Sequence, residues 1–268
     1  PHSKRLNPFS NGIADRIDIA MHSADHSQSV CEIKPTFDNP DNGVDKPRHI
    51  KSFVRREGRI TAAQQRALAQ LWERFGLEVS GTFEPEQWFG RQAPLVLEIG
   101  FGDGESLATM CAANPCTDFI GIEVHRPGIG HLLLRAAELG LTNLRLICLD
   151  AVEVLQQYLP DECLDRVQIF FPDPWPKTRH HKRRLIQPMF VSLLAKKIKS
   201  TGLLHIATDC ENYAYSILEV LRTTPELQNI KADNGFAECP AYRPTTKFEQ
   251  RGKRLGHPVW EILFTRHT

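Results

Sequence analysis

The stretch Pro94-Leu95-Val96-Leu97-Glu98-Ile99-Gly100-Phe101-Gly102-Asp103-Gly104 decides the fold. Its first half is an apolar run without polar alternation, the pattern of a strand buried on both faces of a parallel sheet. Its second half is a turn with three glycines, and residues 105–113 beyond it predict a helix. The same alternation continues down the chain. DFIGIEV (118–124) and NLRLICLD (143–150) predict two more strands, separated by a helix over 127–139. A short helix over 151–158 leads to a fourth strand in DRVQIFF (165–171), and a helix over 183–199 to a fifth in LLHIATD (203–209). A helix over 211–222 and a last strand in VWEILFTR (259–266) close the pattern. Strands alternating with helices predict an α/β fold: a mostly parallel twisted sheet, helices on both faces and an antiparallel strand near the C-terminus.

Upstream of this unit, residues 1–45 are polar and turn-rich, with four Lys/Arg against seven Asp/Glu. Such a segment buries too little apolar surface to offset chain entropy and is expected to be a disordered acidic tail. Residues 46–92 are expected to form a basic arm and an N-terminal helix. RHIKSFVRREGR (48–59) holds five Lys/Arg, and Thr61 opens the helical stretch AAQQRALAQLWERF (62–75). Residues 93–268 form the main domain. No run approaches the ~18 apolar residues of a membrane helix, and the first 30 residues hold no apolar signal core. A cytoplasmic protein without membrane association is expected. Seven cysteines, none in a Cys-x-x-Cys pair, are expected to be reduced thiols, and no metal site is expected. The formal charge of +1 is uninformative by itself, because the positive charge is gathered in short runs.

In open α/β sheets ligands bind beyond the carboxyl ends of the strands. Gly100 and Gly102 let a ligand approach backbone just before a helix N-terminus. Their spacing departs from Gly-x-Gly-x-x-Gly, and Glu98 would repel a diphosphate while suiting a cationic ligand that carries an ammonium and a sulfonium. Glu123 follows the glycines by about 20 residues, where a carboxylate can hold both ribose hydroxyls. Asp150 and Ala151 offer an acceptor and a backbone N–H where an adenine edge would lie. Singly, each acid reads equally well as a helix cap or a solvated loop residue. Together at successive strand ends they resemble the S-adenosylmethionine site of Rossmann-like methyltransferases.

The fourth strand runs into Phe170-Phe171-Pro172-Asp173-Pro174-Trp175-Pro176-Lys177, where prolines on both sides of Asp173 restrict the backbone and fix the carboxylate. The loop resembles the Asp/Asn-Pro-Pro-aromatic loop by which some nucleic-acid methyltransferases grip a base, but differs at its third position. Arg179, His180, His181, Lys182, Arg183 and Arg184 follow at once. With the arm at 48–59 they point to contact with a phosphate backbone.

EIGFGDG, GIEVH, FFPDPWPKTRHHKRR, Ala207-Thr208-Asp209 and TKFEQRGKRLGH together resemble the bacterial tRNA (guanine-N7)-methyltransferase family over residues 47 to 266. The resemblance implies a class I methyltransferase fold and transfer of the methyl of S-adenosylmethionine to N7 of a variable-loop guanine, position 46. It implies Glu98, Glu123, Asp150 and Asp173 as cofactor contacts, with Asp173 also catalytic. It implies Lys177, Asp209 and Thr246, Lys247, Phe248 and Glu249 as substrate-binding positions, and Arg179 to Arg184 as RNA contacts. Pro176 is a departure, since some relatives have a polar residue there. The implied partner is tRNA, with no obligatory protein partner; a monomer is expected, with a homodimer as the alternative. Guanine N7 carries an in-plane lone pair and no proton, so it can attack a sulfonium methyl without a general base. Rival readings are a nicotinamide-dependent dehydrogenase, disfavoured by the glycine spacing, an amino-group methyltransferase, and a silent RNA-binding subunit.

Overall fold

The computed structural model describes residues 58–267 apart from 80, 82, 83, 247, 248, 251, 253–255 and 257. The expected acidic tail and most of the basic arm lie outside the described residues. Thr61 starts α1 (Ala62–Gln70) with a capping box: its Oγ1 accepts from the Gln64 N–H, and Gln64 Oε1 accepts from the Thr61 N–H. The expected helix through Phe75 breaks at Leu71 and resumes as α2 (Trp72–Phe75). A short α3 (Pro85–Phe89), absent from the sequence reading, begins on a proline whose missing N–H costs nothing there and ends at Gly90 in the left-handed region.

The main domain then runs β1 (Leu95–Ile99), α4 (Glu105–Ala113), β2 (Asp118–Ile122), α5 (Arg126–Glu138), β3 (Leu144–Ile147), α6 (Ala151–Gln157) and β4 (Leu164–Phe170). After a 3-10 turn over Thr178–Arg183 come α7 (Pro188–Lys197), β5 (Ile198–Thr208), α8 (Glu211–Arg222), β6 (Leu227–Asn229) and β7 (Trp260–Arg266). The predicted helix over 183–199 is corrected at its start: Pro188 cannot continue a helix from upstream but suits the first turn of a new one. β6, three residues long, was too short to carry a periodic signal.

The seven strands are ordered β3-β2-β1-β4-β5-β7-β6. β1 to β5 pair in parallel, while β7 runs antiparallel to both β5 and β6. This is the expected mostly parallel sheet with an antiparallel strand near the C-terminus. All five residues of β1 and of β2 are buried, which explains the lack of polar alternation along them. Apolar cores lie on both faces, one around α6, α7 and α8 and one around α1, α4 and α5. The strand order reverses between β1 and β4, so a crevice opens beyond Ile99 and Phe170, at the switch point where ligands of such sheets bind. Among the described residues no helix is long and apolar enough to cross a membrane.

Candidate active site

The turn after β1 is built for close approach. Gly100 (φ 75°) and Gly102 (φ 62°) occupy backbone that L side chains resist, and a Cβ on either would meet nothing within 4 Å. The space above them is open. Behind the turn, a Cβ on Gly128 would lie 2.0 Å from the Gly102 carbonyl oxygen, so this glycine lets α5 press against the loop.

Glu123, just past β2, fastens the same turn. One carboxylate oxygen accepts from the Gly102 N–H at 3.0 Å, and the other from the N–H groups of Val124 (2.7 Å) and His125 (3.0 Å). Asp150, just past β3, caps α6 by accepting from the Val152 N–H at 2.8 Å, and Ala151 opens that helix. Both acids therefore have structural duties at the crevice mouth as well as lone pairs to offer a ligand.

Glu98, expected as a carboxylate near the glycine turn, lies inside β1. It is 2% exposed and accepts from Gln168 Nε2 at 2.6 Å across the β1–β4 pair. Burial pushes its carboxyl up to about 7, against the opposing effect of the Gln168 hydrogen bond. Its influence on a ligand is that of a buried charge near the turn rather than an open acceptor.

The loop after β4 holds Asp173 out into solvent. On either side Phe171 (φ 52°) and Trp175 (φ 42°) lie in the left-handed region, a conformation that costs about 1–3 kcal/mol per non-glycine residue and is kept where surroundings enforce it. Arg184 braces the loop from inside. Its Nε donates to the Pro174 carbonyl at 2.9 Å, its Nη2 to Asn212 Oδ1 at 2.8 Å, and its guanidinium lies 4.6 Å from the Tyr213 ring. Arg184 is 4% exposed, which corrects its expected place among the RNA-facing residues: its charge is directed inward, on the loop. The Arg183 guanidinium lies 5.1 Å from the Trp175 ring, and His180 meets that ring edge-on at 5.9 Å. Lys177, Arg179 and Lys182 are exposed, and His180, His181 and Arg183 are half-buried. Partial desolvation and the charges of Arg179, Arg183, Lys177 and Lys182 hold His180 below its ordinary range.

Asp209 follows β5 and is half-buried, so it stands with the Asp173 loop at the carboxyl end of the sheet. Thr246 accepts at Oγ1 from the Glu249 N–H at 3.0 Å. Glu249 itself is 2% exposed and pairs with Arg243 at 2.7 Å, so its expected direct substrate contact is replaced by an inward ion pair. Lys247 and Phe248 lie outside the described residues.

Sequence reading missed Gln168, His205, Tyr242, Arg243 and Glu261. Gln168 is the register partner of both Glu98 and His205, and Glu261 pairs with Ala207, two residues beyond His205. A polar row thus crosses the buried sheet, and its signal was a polar residue set among the buried apolar ones of each strand.

This geometry stands beside clear sequence relationships. Residues 92–262 match a family model described as a putative methyltransferase. A tRNA (guanine-N(7)-)-methyltransferase of Alcanivorax borkumensis is 54% identical over 220 residues, covering 82% of this chain and 92% of that protein. One from Methylococcus capsulatus is 54% identical over 223 residues, covering 83% and 96%. The chain belongs to the tRNA (guanine-N7)-methyltransferase family. A relative from Yersinia enterocolitica is 51% identical over 235 residues, covering 87% of this chain and 97% of that protein.

Proposed function

We propose that this protein methylates N7 of a guanine in tRNA, at position 46 of the variable loop, with S-adenosylmethionine as donor. The observation that carries the reading is the convergence of the open glycine turn, Glu123, Asp150 and the braced Asp173 loop on one end of the sheet, in a chain more than half identical to proteins of that name. The residues fit the donor. Gly100 and Gly102 admit its amino-acid portion, Glu123 suits its ribose hydroxyls, Asp150 and the Ala151 N–H face its adenine, and Glu98 supplies negative charge near its cationic end. When bound, the donor supplies an electrophilic methyl on a sulfonium.

The chain's own residues do the positioning. Guanine N7 needs no deprotonation, so the site has to hold the base in line with the methyl and offset the positive charge that grows on the purine. Asp173 is the proposed catalytic residue: its carboxylate accepts from the guanine N1–H and amino group, and this interaction strengthens as the purine turns cationic. Asp209 and Thr246 support the base from the neighbouring loops. Lys177, Arg179, Lys182 and Arg183 meet the phosphate backbone, with His180 and His181 beside them. The protein acts on tRNA in the cytoplasm.

The test is incubation of unmodified tRNA with labelled S-adenosylmethionine, followed by nucleoside analysis. 7-Methylguanosine is the expected product, and label on an amino group or none at all overturns the reading. Asp173→Asn keeps the shape of the carboxylate and removes its charge. Single-turnover transfer should fall on the order of 100-fold, as for loss of one preorganised electrostatic partner, while tRNA affinity holds. A rate within about threefold of the parent moves the catalytic role to Asp209.

A further inference from the structure

Arg243 lies in the interior between two carboxylates from different parts of the chain. Its Nη1 donates to Glu249 Oε2 at 2.7 Å and its Nη2 donates to Glu261 Oε1, and all three side chains are buried. The same guanidinium lies 5.6 Å from the Phe170 ring and 5.9 Å from the Phe171 ring. Next to it Tyr242 donates its hydroxyl to His205 Nδ1 at 2.8 Å, and His205 Nε2 donates to Glu261 Oε2 at 2.7 Å. Burial holds His205 below its ordinary range despite Glu261, so the ring is neutral, with one donor and one acceptor, and both are used. The Arg166 guanidinium lies 4.0 Å from the Tyr242 ring. Three elements meet at this cluster: β7 through Glu261, the segment bearing Thr246 through Glu249, and the exit of β4 through Phe170 and Phe171, the root of the Asp173 loop.

A buried arginine between two acids is a poor source of stability, because desolvation offsets most of the attraction and apolar packing often does as well. What the planar fork does supply is direction, since it fixes two carboxylates in one plane as a lysine cannot. We infer that Arg243 is a positioning residue that locks Thr246 and Glu249 to the root of the Asp173 loop. The two substrate-facing loops are thereby held as one unit while neither is part of the sheet. This inference rests on the role given above to Asp173 and Thr246.

The test uses the full chain carrying Arg243→Lys or Glu249→Gln. The second variant leaves Arg243 and Glu261 as a neutral pair, and it keeps the inference testable if the first fails to fold. At a temperature well below melting, single-turnover methyl transfer should fall on the order of 100-fold, the cost of a misplacement of about 1 Å at a reacting group. Donor affinity, measured by calorimetry, should stay where it is in the parent, because the glycine turn is untouched. Hydrogen exchange in peptides covering residues 240–250 should accelerate. A folded variant that melts lower yet transfers methyl as fast as the parent overturns the inference. If the parent forms no 7-methylguanosine, the functional reading falls by itself. The exchange measurement then still decides the lock, and unchanged exchange overturns it.

Discussion

Glu98→Gln is expected to stabilise the protein and weaken its donor binding at the same time. The carboxyl is 2% exposed, and burial raises it from an ordinary 4.5 to about 7. At 1.36 kcal/mol per unit, that shift is a destabilisation of about 3 kcal/mol once the group is ionised. The folded value is the raised one, so stability fully present below pH 4.5 is lost progressively as pH rises through about 7. A glutamine carries no such penalty. It also completes a reciprocal amide pair, because Gln168 Oε1 is buried without a hydrogen-bond partner and can accept from the new Nε2. The variant should therefore exceed the parent by up to about 3 kcal/mol at pH 8 and by little at pH 5. Its affinity for S-adenosylmethionine should drop about tenfold at pH 8, roughly 1.4 kcal/mol, through the lost attraction to the ammonium and sulfonium. Denaturant melts of both proteins at the two pH values, with calorimetric titration of the donor, measure both effects. A stability gain equal at pH 5 and pH 8, or none, refutes the burial argument. Unchanged donor affinity refutes the placement of the cationic end near Glu98.

Glu123→Ala should weaken donor binding by about 2 kcal/mol, within the range for hydrogen bonds to a charged group, and calorimetry on the folded variant checks it; its lost bond to Gly102 should also speed hydrogen exchange in the glycine turn. Replacing Arg179, Lys182 and Arg183 together by Ala should leave donor binding intact, lower tRNA affinity, and flatten the plot of log affinity against log salt by about 0.7 to 0.9 per lost phosphate contact. An unchanged salt slope rules out the phosphate contacts.

The fold was legible because its signals are local. Apolar strands without alternation, the glycine turn after β1 and helical periodicity each occupy at most 13 consecutive residues, and together they limit the topology to a doubly wound sheet. Misplaced boundaries followed local chemistry as well, as where Pro188 restarts α7. The site was legible wherever a residue closes a strand, since the carboxyl edge of the sheet gathers such residues regardless of what lies between them. Arg184 and Glu249 were misread for the opposite reason. A charged residue in a basic run or a polar loop is expected to be solvated, and only the partner's position shows otherwise: Pro174 is 10 residues from Arg184, and Asn212 is 28.

The polar row from Glu98 to Glu261 belongs to a third category, written in the sequence but readable only with the register in hand. Gln168 in DRVQIFF, His205 in LLHIATD and Glu261 in VWEILFTR each look like a lapse among the apolar neighbours of a strand. Strand pairing brings the lapses together, Gln168 opposite both Glu98 and His205, with Glu261 within hydrogen-bonding reach of His205. Isolated buried polar groups are costly, whereas mutually satisfied ones admit few alternative arrangements and so enforce one geometry. The row begins beside the glycine turn and ends, through Arg243, at the segment carrying Thr246. A methyl-transfer site needs its donor and acceptor surfaces held to within a fraction of an ångström. That requirement gives a physical reason for placing polar side chains in the middle of strands where apolar ones would have folded as well.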